Sequence, residues 1–279
     1  ATLERLRETE VPGLRKHPEK LEKAWKPIRD HALRLPDLFP EGDMDFLDNG
    51  NCLIELSIAQ VRCLTALRLL GFFKKTHTTI WRPNLSHWLE KRPDWYPEGQ
   101  AFLECHLDYF AEIGCKEGAE EQTITFERIA LGAEETPRWN ELKEMKVQRA
   151  EVVDDGTRIG DISGEIQVDF ANRDIGPSAV ATQEEIIFGI NPDISPAVLM
   201  SARMLDNECI VLRGSKPYGT FSGYGGSVKY LGRAKELRVE TILAIDALPI
   251  RQRGLKGLME QLQPAALDRE LNKAYVGFR

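Results

Sequence analysis

The stretch GEIQVDFANRDIGPSAVATQEEIIFG, Gly164 to Gly189, reads as a strand, a polar Gly/Pro loop and a helix. From Glu165 to Phe170 the apolar Ile166, Val168 and Phe170 alternate with Glu165, Gln167 and Asp169. That is the period-2 signal of a half-buried strand, with Asp169 at its end. The following residues bring Asn172, Gly176, Pro177 and Ser178, which favour turns and leave backbone N–H groups free to meet a ligand. Thr182 with Glu185 three residues on fits a capping box. Ile186, Ile187 and Phe188 supply the apolar part of the helix, and Gly189 with Asn191-Pro192 stops it. Strand, loop and helix N-terminus in this order make an anion site. The same spacing also describes an ordinary capped helix, because Thr-x-x-Glu is common and acidic residues are favoured in any first turn.

A chain of 279 residues has room for two domains or one large one, and 42% hydrophobic with 29% charged residues is the balance of a globular protein. No apolar run approaches the ~20 residues of a membrane span, and ATLERLRETE lacks a signal-peptide core. Cys52, Cys63, Cys105, Cys115 and Cys209 are odd in number and show no CxxC spacing, which argues for reduced thiols in an intracellular compartment and against zinc or a disulfide framework. The formal net charge of −7 disfavours a whole-surface nucleic-acid binder. A polyanionic substrate would have to be met locally, by backbone N–H groups and helix ends.

The N-terminal half reads as mainly helical. LERLRE and KLEKAWKPIRDHALRL suggest amphipathic segments around Leu21, Trp25, Ile28 and Leu33. Ser57 and Gln60 form a second capping-box pattern, after which Ile58, Val61, Leu64, Leu67 and Leu70 recur at helical spacing, with Cys63 as buried packing. Residues 77–97 hold Trp81, Trp88, Trp95 and Tyr96 among a few basic residues. They suit aromatic anchors of an irregular segment better than stacking platforms for nucleic acid. His77, His87 and His106 lack metal-like spacing, so polar or surface roles are expected. Phe102 to Ile113 reads as a helix and Thr123 to Ile129 as a strand. Pro137 and a charged stretch put a boundary near residues 136–150.

The C-terminal half alternates strand and helix. Ser195-Pro196 opens a helix expected to run to about Leu205, and Cys209–Leu212 and Val239–Ile245 read as strands. Between those strands lies a loop from Gly214 to Gly232 with Tyr218, Tyr224 and Tyr230, in the place where an α/β fold puts ligand contacts.

VDFANRDIG followed by TQEEIIFGINPDI resembles the signature of poly(ADP-ribose) glycohydrolases, a glycine-rich loop followed by Gln-Glu-Glu. LDNECIVL, SGYGGSVKY, ETILAIDAL and ELNKAYVGF match in the same order, and the N-terminal half resembles the family more weakly through LSIAQVRCLTALRLLGFF and TITFERIAL. The resemblance implies an α/β fold: a helical accessory domain over 1–145 and a macrodomain-like three-layer α/β/α core with a mixed sheet over 146–279. It implies hydrolysis of the ribose–ribose O-glycosidic bonds of poly(ADP-ribose), releasing ADP-ribose, without metal or cofactor. Glu185 would be the acid/base, and Glu184 with Asn172 would hold ribose hydroxyls. Gln183 and Asp169 would order the loop or help hold substrate, Gly176 to Ser178 would lie beside the ADP-ribose, and Tyr224 would cover it. Tyr218 and Tyr230 would be structural. The implied partners are poly(ADP-ribose), ADP-ribose and poly(ADP-ribosyl)ated proteins, in nucleus or cytoplasm.

Two departures bear on this. Gly176-Pro177-Ser178 replaces three consecutive glycines and stands only four residues before Gln183, and Pro177 removes one N–H donor. The chain also stops at Arg279, directly after ELNKAYVGF, where the family continues into a second glycine-rich loop and further core elements. The expectation is a piece of a longer or cleaved polypeptide, with a second chain or segment completing the core, or a site built differently. A non-catalytic ADP-ribose-binding module and a purely structural interaction protein are the competing readings.

Overall fold

The computed structural model describes residues 18–48, 52–74, 83–85, 88, 98–113, 121–142, 144, 149–162, 164–177 and 181–279. Its main elements are α1 (Pro18–Leu33), α2 (Leu35–Leu38), β1 (Leu53–Ser57), α3 (Ile58–Leu69), α4 (Glu98–Ile113), β2 (Thr123–Ala130), β3 (Ile166–Ala171) and α5 (Gln183–Ile190). They continue with α6 (Ala197–Met200), β4 (Glu208–Ser215), β5 (Gly219–Ser222), β6 (Lys229–Arg233), β7 (Glu240–Asp246), α7 (Gly254–Gln261) and α8 (Pro264–Phe278). LERLRE, Trp81, Trp95, Tyr96, His77, His87, Cys115 and Ser178 lie outside the described residues.

Five strands form a mixed sheet in the order β1-β2-β4-β7-β3, antiparallel except for the parallel pair β7 and β3. Two of the five come from the helix-rich first half of the chain, so the halves share one sheet. On one face Phe126, Ile210, Leu212 and Ile242 pack under Val61 and Leu64 of α3, Ile187 and Phe188 of α5, and Leu199 of α6. Burying each such side chain is worth about 1.5–3 kcal/mol, which makes this layer the main source of cohesion. On the other face Val211 and Leu243 meet Val276 of α8, completing three layers. The α3 capping box forms as its spacing predicts, with Ser57 N–H donating to Gln60 Oε1 at 3.0 Å and Gln60 N–H to Ser57 Oγ at 3.3 Å.

Tertiary contacts overrule four local readings. The helix after Ser195 stops at Met200 rather than near Leu205, because Ser201 is extended and forms a parallel bridge with Leu47. Ser195 is not the N-cap of that helix, and its hydroxyl instead accepts from buried Arg68 at 2.6 Å. The expected 214–232 loop contains the β5–β6 hairpin, in which buried Tyr218 donates to Glu112 at 3.0 Å. His106 is fully buried, bonded to the Phe102 carbonyl at 3.0 Å and packed edge-on against Trp88, which anchors this segment as expected. The fourth reversal concerns β3. Its apolar Ile166 and Phe170 are 54% and 62% exposed and Val168 is only partly buried against the α8 layer, whereas Asp169 on the polar side is 0% exposed.

Gly189 sets how closely α5 approaches α4. A Cβ built there would lie 2.1 Å from Cδ1 of the buried Phe102 ring. Gly to Ala in a helix would ordinarily gain up to about 1 kcal/mol, but overpacking against a ring held on all sides costs about 1–3 kcal/mol. Gly189→Ala should therefore lower the melting temperature, and a rise would show that Phe102 can give way.

Candidate active site at the first turn of α5

The C-terminal ends of the parallel strands β3 and β7 are where an open α/β sheet places its ligands. β3 is an edge strand, and α5 begins beside it. Gln183 satisfies the open edge: Phe170 N–H donates to its Oε1 at 2.9 Å, and its Nε2 donates to the Val168 carbonyl at 2.7 Å. Glu184 then accepts from Asn172 N–H at 3.0 Å and from Gly176 N–H at 2.7 Å, one on each oxygen. Glu185 accepts from Thr182 N–H at 2.8 Å and from the Thr182 hydroxyl, the capping box the spacing predicts. Two of the loop N–H groups expected to be free for ligand are thus taken by Glu184. Gly176 has φ +115°, and a Cβ there would stand 2.2 Å from Val198, so the turn requires glycine on both counts.

The carboxyls are crowded and dry. Glu184 and Glu185 are 4% and 3% exposed, and among the described residues neither oxygen of the fully buried Asp169 has a hydrogen-bond partner. Burial, and then the Glu185 charge, pushes Asp169 up to about 8. Burial and Asp169 push Glu184 well above the usual carboxylate range, against the pull of its two N–H donors. Carboxyls this close and this desolvated cannot all ionise, so the cluster retains a proton at neutral pH. It can therefore donate a proton and take one back. Among the described residues no group of three or more His, Cys, Asp or Glu side chains is arranged to hold a metal ion.

Beside the cluster lies a cavity of about 800 Å³, lined among others by Arg158, Gln167, Gln183, Phe221, Tyr224 and Glu240. Tyr224 is 61% exposed, and its loop is tied to the start of α5 by Gly225 N–H donating to the Ala181 carbonyl at 2.8 Å. Asn172 opens instead onto a second hollow of about 500 Å³ with Arg173, Arg203 and Arg251. Asp169, Glu184, Glu185, Gly176 and Pro177 line neither space. The fold thus brings Gln183 and Tyr224 to one cavity and holds the carboxyls behind it. Sequence reasoning passed over Arg158, Gln167 and Glu240, which line the same cavity. A charged residue opening an apolar strand was the available signal for Glu240, whose carboxyl burial pushes up to about 7.

Comparison with known proteins accounts for nearly all of the chain. The macro-domain-fold part of the poly(ADP-ribose) glycohydrolase family matches residues 136–279, and the helical domain of the same family matches residues 15–128. Poly(ADP-ribose) glycohydrolase 1 of Arabidopsis thaliana is 29% identical over 170 residues, 56% of this chain and 29% of that protein. Poly(ADP-ribose) glycohydrolase 1 of Caenorhabditis elegans is 34% identical over 130 residues, 40% of this chain and 16% of that protein. A probable poly(ADP-ribose) glycohydrolase 2 of Arabidopsis thaliana is 35% identical over 124 residues, 40% of this chain and 23% of that protein. The chain thus covers less than a third of the length of these relatives. With one family domain matched across more than half of its residues and the companion domain matched ahead of it, the chain belongs to the poly(ADP-ribose) glycohydrolase family.

Proposed function

We propose that the site hydrolyses ribose–ribose O-glycosidic bonds of poly(ADP-ribose) and releases ADP-ribose. The observation that carries this reading is the dry carboxyl cluster, which keeps a proton at neutral pH beside a cavity of about 800 Å³. The bond breaks through an oxocarbenium-like transition state, which needs an acid at the departing oxygen and a base for the attacking water. In this reading Glu185 gives its proton to the departing ribose oxygen. Water then attacks the anomeric carbon and returns a proton to Glu185. Asp169, fully buried beside Glu185, keeps a proton at neutral pH, because burial and then the Glu185 charge push it up to about 8. Glu184 uses one lone pair per oxygen on the loop amides and keeps others for ribose hydroxyls, with Asn172 beside it. Tyr224 covers the ADP-ribose held in the cavity. The partners that follow are the polymer, ADP-ribose and proteins bearing the polymer, inside the cell.

A second reading, a non-catalytic ADP-ribose-binding module, draws support from the backbone bonds that Glu184 and Glu185 already make. Glu185→Gln separates the two. Loss of the acid/base should lower release of ADP-ribose by roughly 10²–10⁴-fold, whereas loss of a cap alone costs on the order of 1 kcal/mol of stability and leaves turnover intact. A variant that turns over polymer at the native rate would falsify the catalytic role. In parallel, calorimetry on Tyr224→Ala should find weaker ADP-ribose binding, and unchanged affinity removes Tyr224 from the ligand.

The retained proton has its own signature. Asp169 keeps its proton up to about 8 when folded, against 3.8 ordinarily, so its ionisation opposes folding increasingly as pH rises between those values and not below them. The melting temperature of Asp169→Asn should accordingly gain on the native protein across that window. A difference that stays flat with pH contradicts the assignment.

We further propose that another polypeptide segment, in this or a second chain, covers the outward faces of α7 and α8. Leu255, Leu258 and Met259 of α7, Leu262 just after it, and Leu267 and Phe278 of α8 are all exposed, and clustered exposed apolar residues mark interaction surfaces. A protein that stays monomeric in sedimentation and fails to bind an apolar dye would sink this idea.

A further inference from the structure

Asp246 ends β7 directly opposite Ala171 of β3, beside the loop that carries Asn172. It is 3% exposed, yet three cations converge on it. Lys273 Nζ stands 2.6 Å from Oδ1, Arg173 Nε stands 3.2 Å from Oδ2, and the Arg269 guanidinium also meets Oδ2. Arg269 donates to the Asp246 carbonyl at 2.6 Å as well, and Lys273 to the Glu208 carbonyl at 2.5 Å. Asp206 balances part of the positive charge, meeting Arg173 at 2.7 Å and Arg269 at 3.1 Å. Arg269 and Lys273 are one turn apart on α8 and are 5% and 2% exposed, so this helix turns a cationic edge inward.

Arg173 connects this hub to the site. It follows Asn172 and precedes Gly176, the two residues whose N–H groups lie on Glu184. The loop is therefore held by Glu184, which accepts from its amides, and by Arg173, which is ion-paired to buried Asp246 at 3.2 Å and donates to Asp206 at 2.7 Å. Packing alone does not call for such an arrangement, since apolar residues of similar volume commonly serve a buried position without the desolvation cost of charges.

We infer that Arg173, held by Asp246 and through it by Arg269 and Lys273 of α8, is a positioning residue that fixes the loop presenting Asn172 and Gly176. The inference deepens the hydrolytic reading and rests on it only for the loop's purpose. The fixation itself is measurable without turnover.

The test is amide hydrogen exchange on the full chain. Arg173 is only partly buried, so Arg173→Gln leaves the Asp246 contacts of Arg269 and Lys273 in place. In that variant the amides of Asn172 and Gly176 should exchange about tenfold faster or more, while Ile210 and Leu212 in β4 keep their native rates. Arg173→Lys retains the charge but reaches a single carboxylate, and should fall between the two. Native exchange at both loop amides in Arg173→Gln overturns the inference. So does acceleration of the β4 amides by the same factor, which would mark a general packing role. A native chain that releases no ADP-ribose from polymer counts against the hydrolytic reading and leaves the exchange result to decide this one.

Discussion

The first turn of α5 does for β3 what a neighbouring strand would otherwise do. An edge strand displays unpaired N–H and C=O groups, and proteins cover or blunt such edges. Here a single primary amide, Gln183, supplies both a donor and an acceptor to β3. Each bond is worth only about 0.5–1.5 kcal/mol net, but leaving the same groups buried and unmade would cost about 1–3 kcal/mol each. The larger consequence is geometric. With Gln183 fixed on β3, the next two residues of the helix must fall at the strand's end, which puts Glu184 on the loop amides and Glu185 beside Asp169.

That placement is electrostatically expensive, and the surroundings divide the cost unevenly. Glu184 receives two backbone donors and Glu185 the two groups of Thr182, whereas Asp169 has no hydrogen-bond partner among the described residues. The helix N-terminus favours negative charge, but burial opposes it more strongly for Asp169 and Glu184. The proposed acid catalysis would benefit from this imbalance, because a helix terminus by itself favours ionised carboxylates. The stability given up at Asp169 is recovered in the apolar layer beneath α3, α5 and α6.

β3 and α8 each bury charged residues while leaving some apolar ones exposed: Asp169 is buried and Phe170 exposed, Lys273 buried and Phe278 exposed, although Val276 of α8 is buried as well. Both arrangements serve charge. Asp169 belongs to the carboxyl cluster, and Lys273 with Arg269 neutralises Asp246 next to it. Breaking such a buried pair from one side typically costs about 3–5 kcal/mol, so these contacts resist piecemeal change.

Local order was legible in the sequence wherever the signal was itself local. The capping boxes at Ser57 and Thr182 form as written, because a side chain three residues from its target needs nothing else from the fold. The strand at Ile166, the strand at Thr123 and the helix at Gln183 likewise follow from period and turn chemistry. The Gln-Glu-Glu string and its ordered companions pointed to the family that the matches over 15–128 and 136–279 show. Tertiary structure decided which face of β3 is buried, because alternation sets a period but not a side, and the partner layer came from α5. It ended the helix after Ser195 early, where Leu47, far away in sequence, claimed Ser201 as a bridge partner. It also made Asp246 a hub: the residue reads as an ordinary strand end until α8 folds back to bring Arg269 and Lys273 onto it. Neighbouring residues are fixed by the chain, whereas the residues that neutralise a buried charge are fixed only by where distant elements meet.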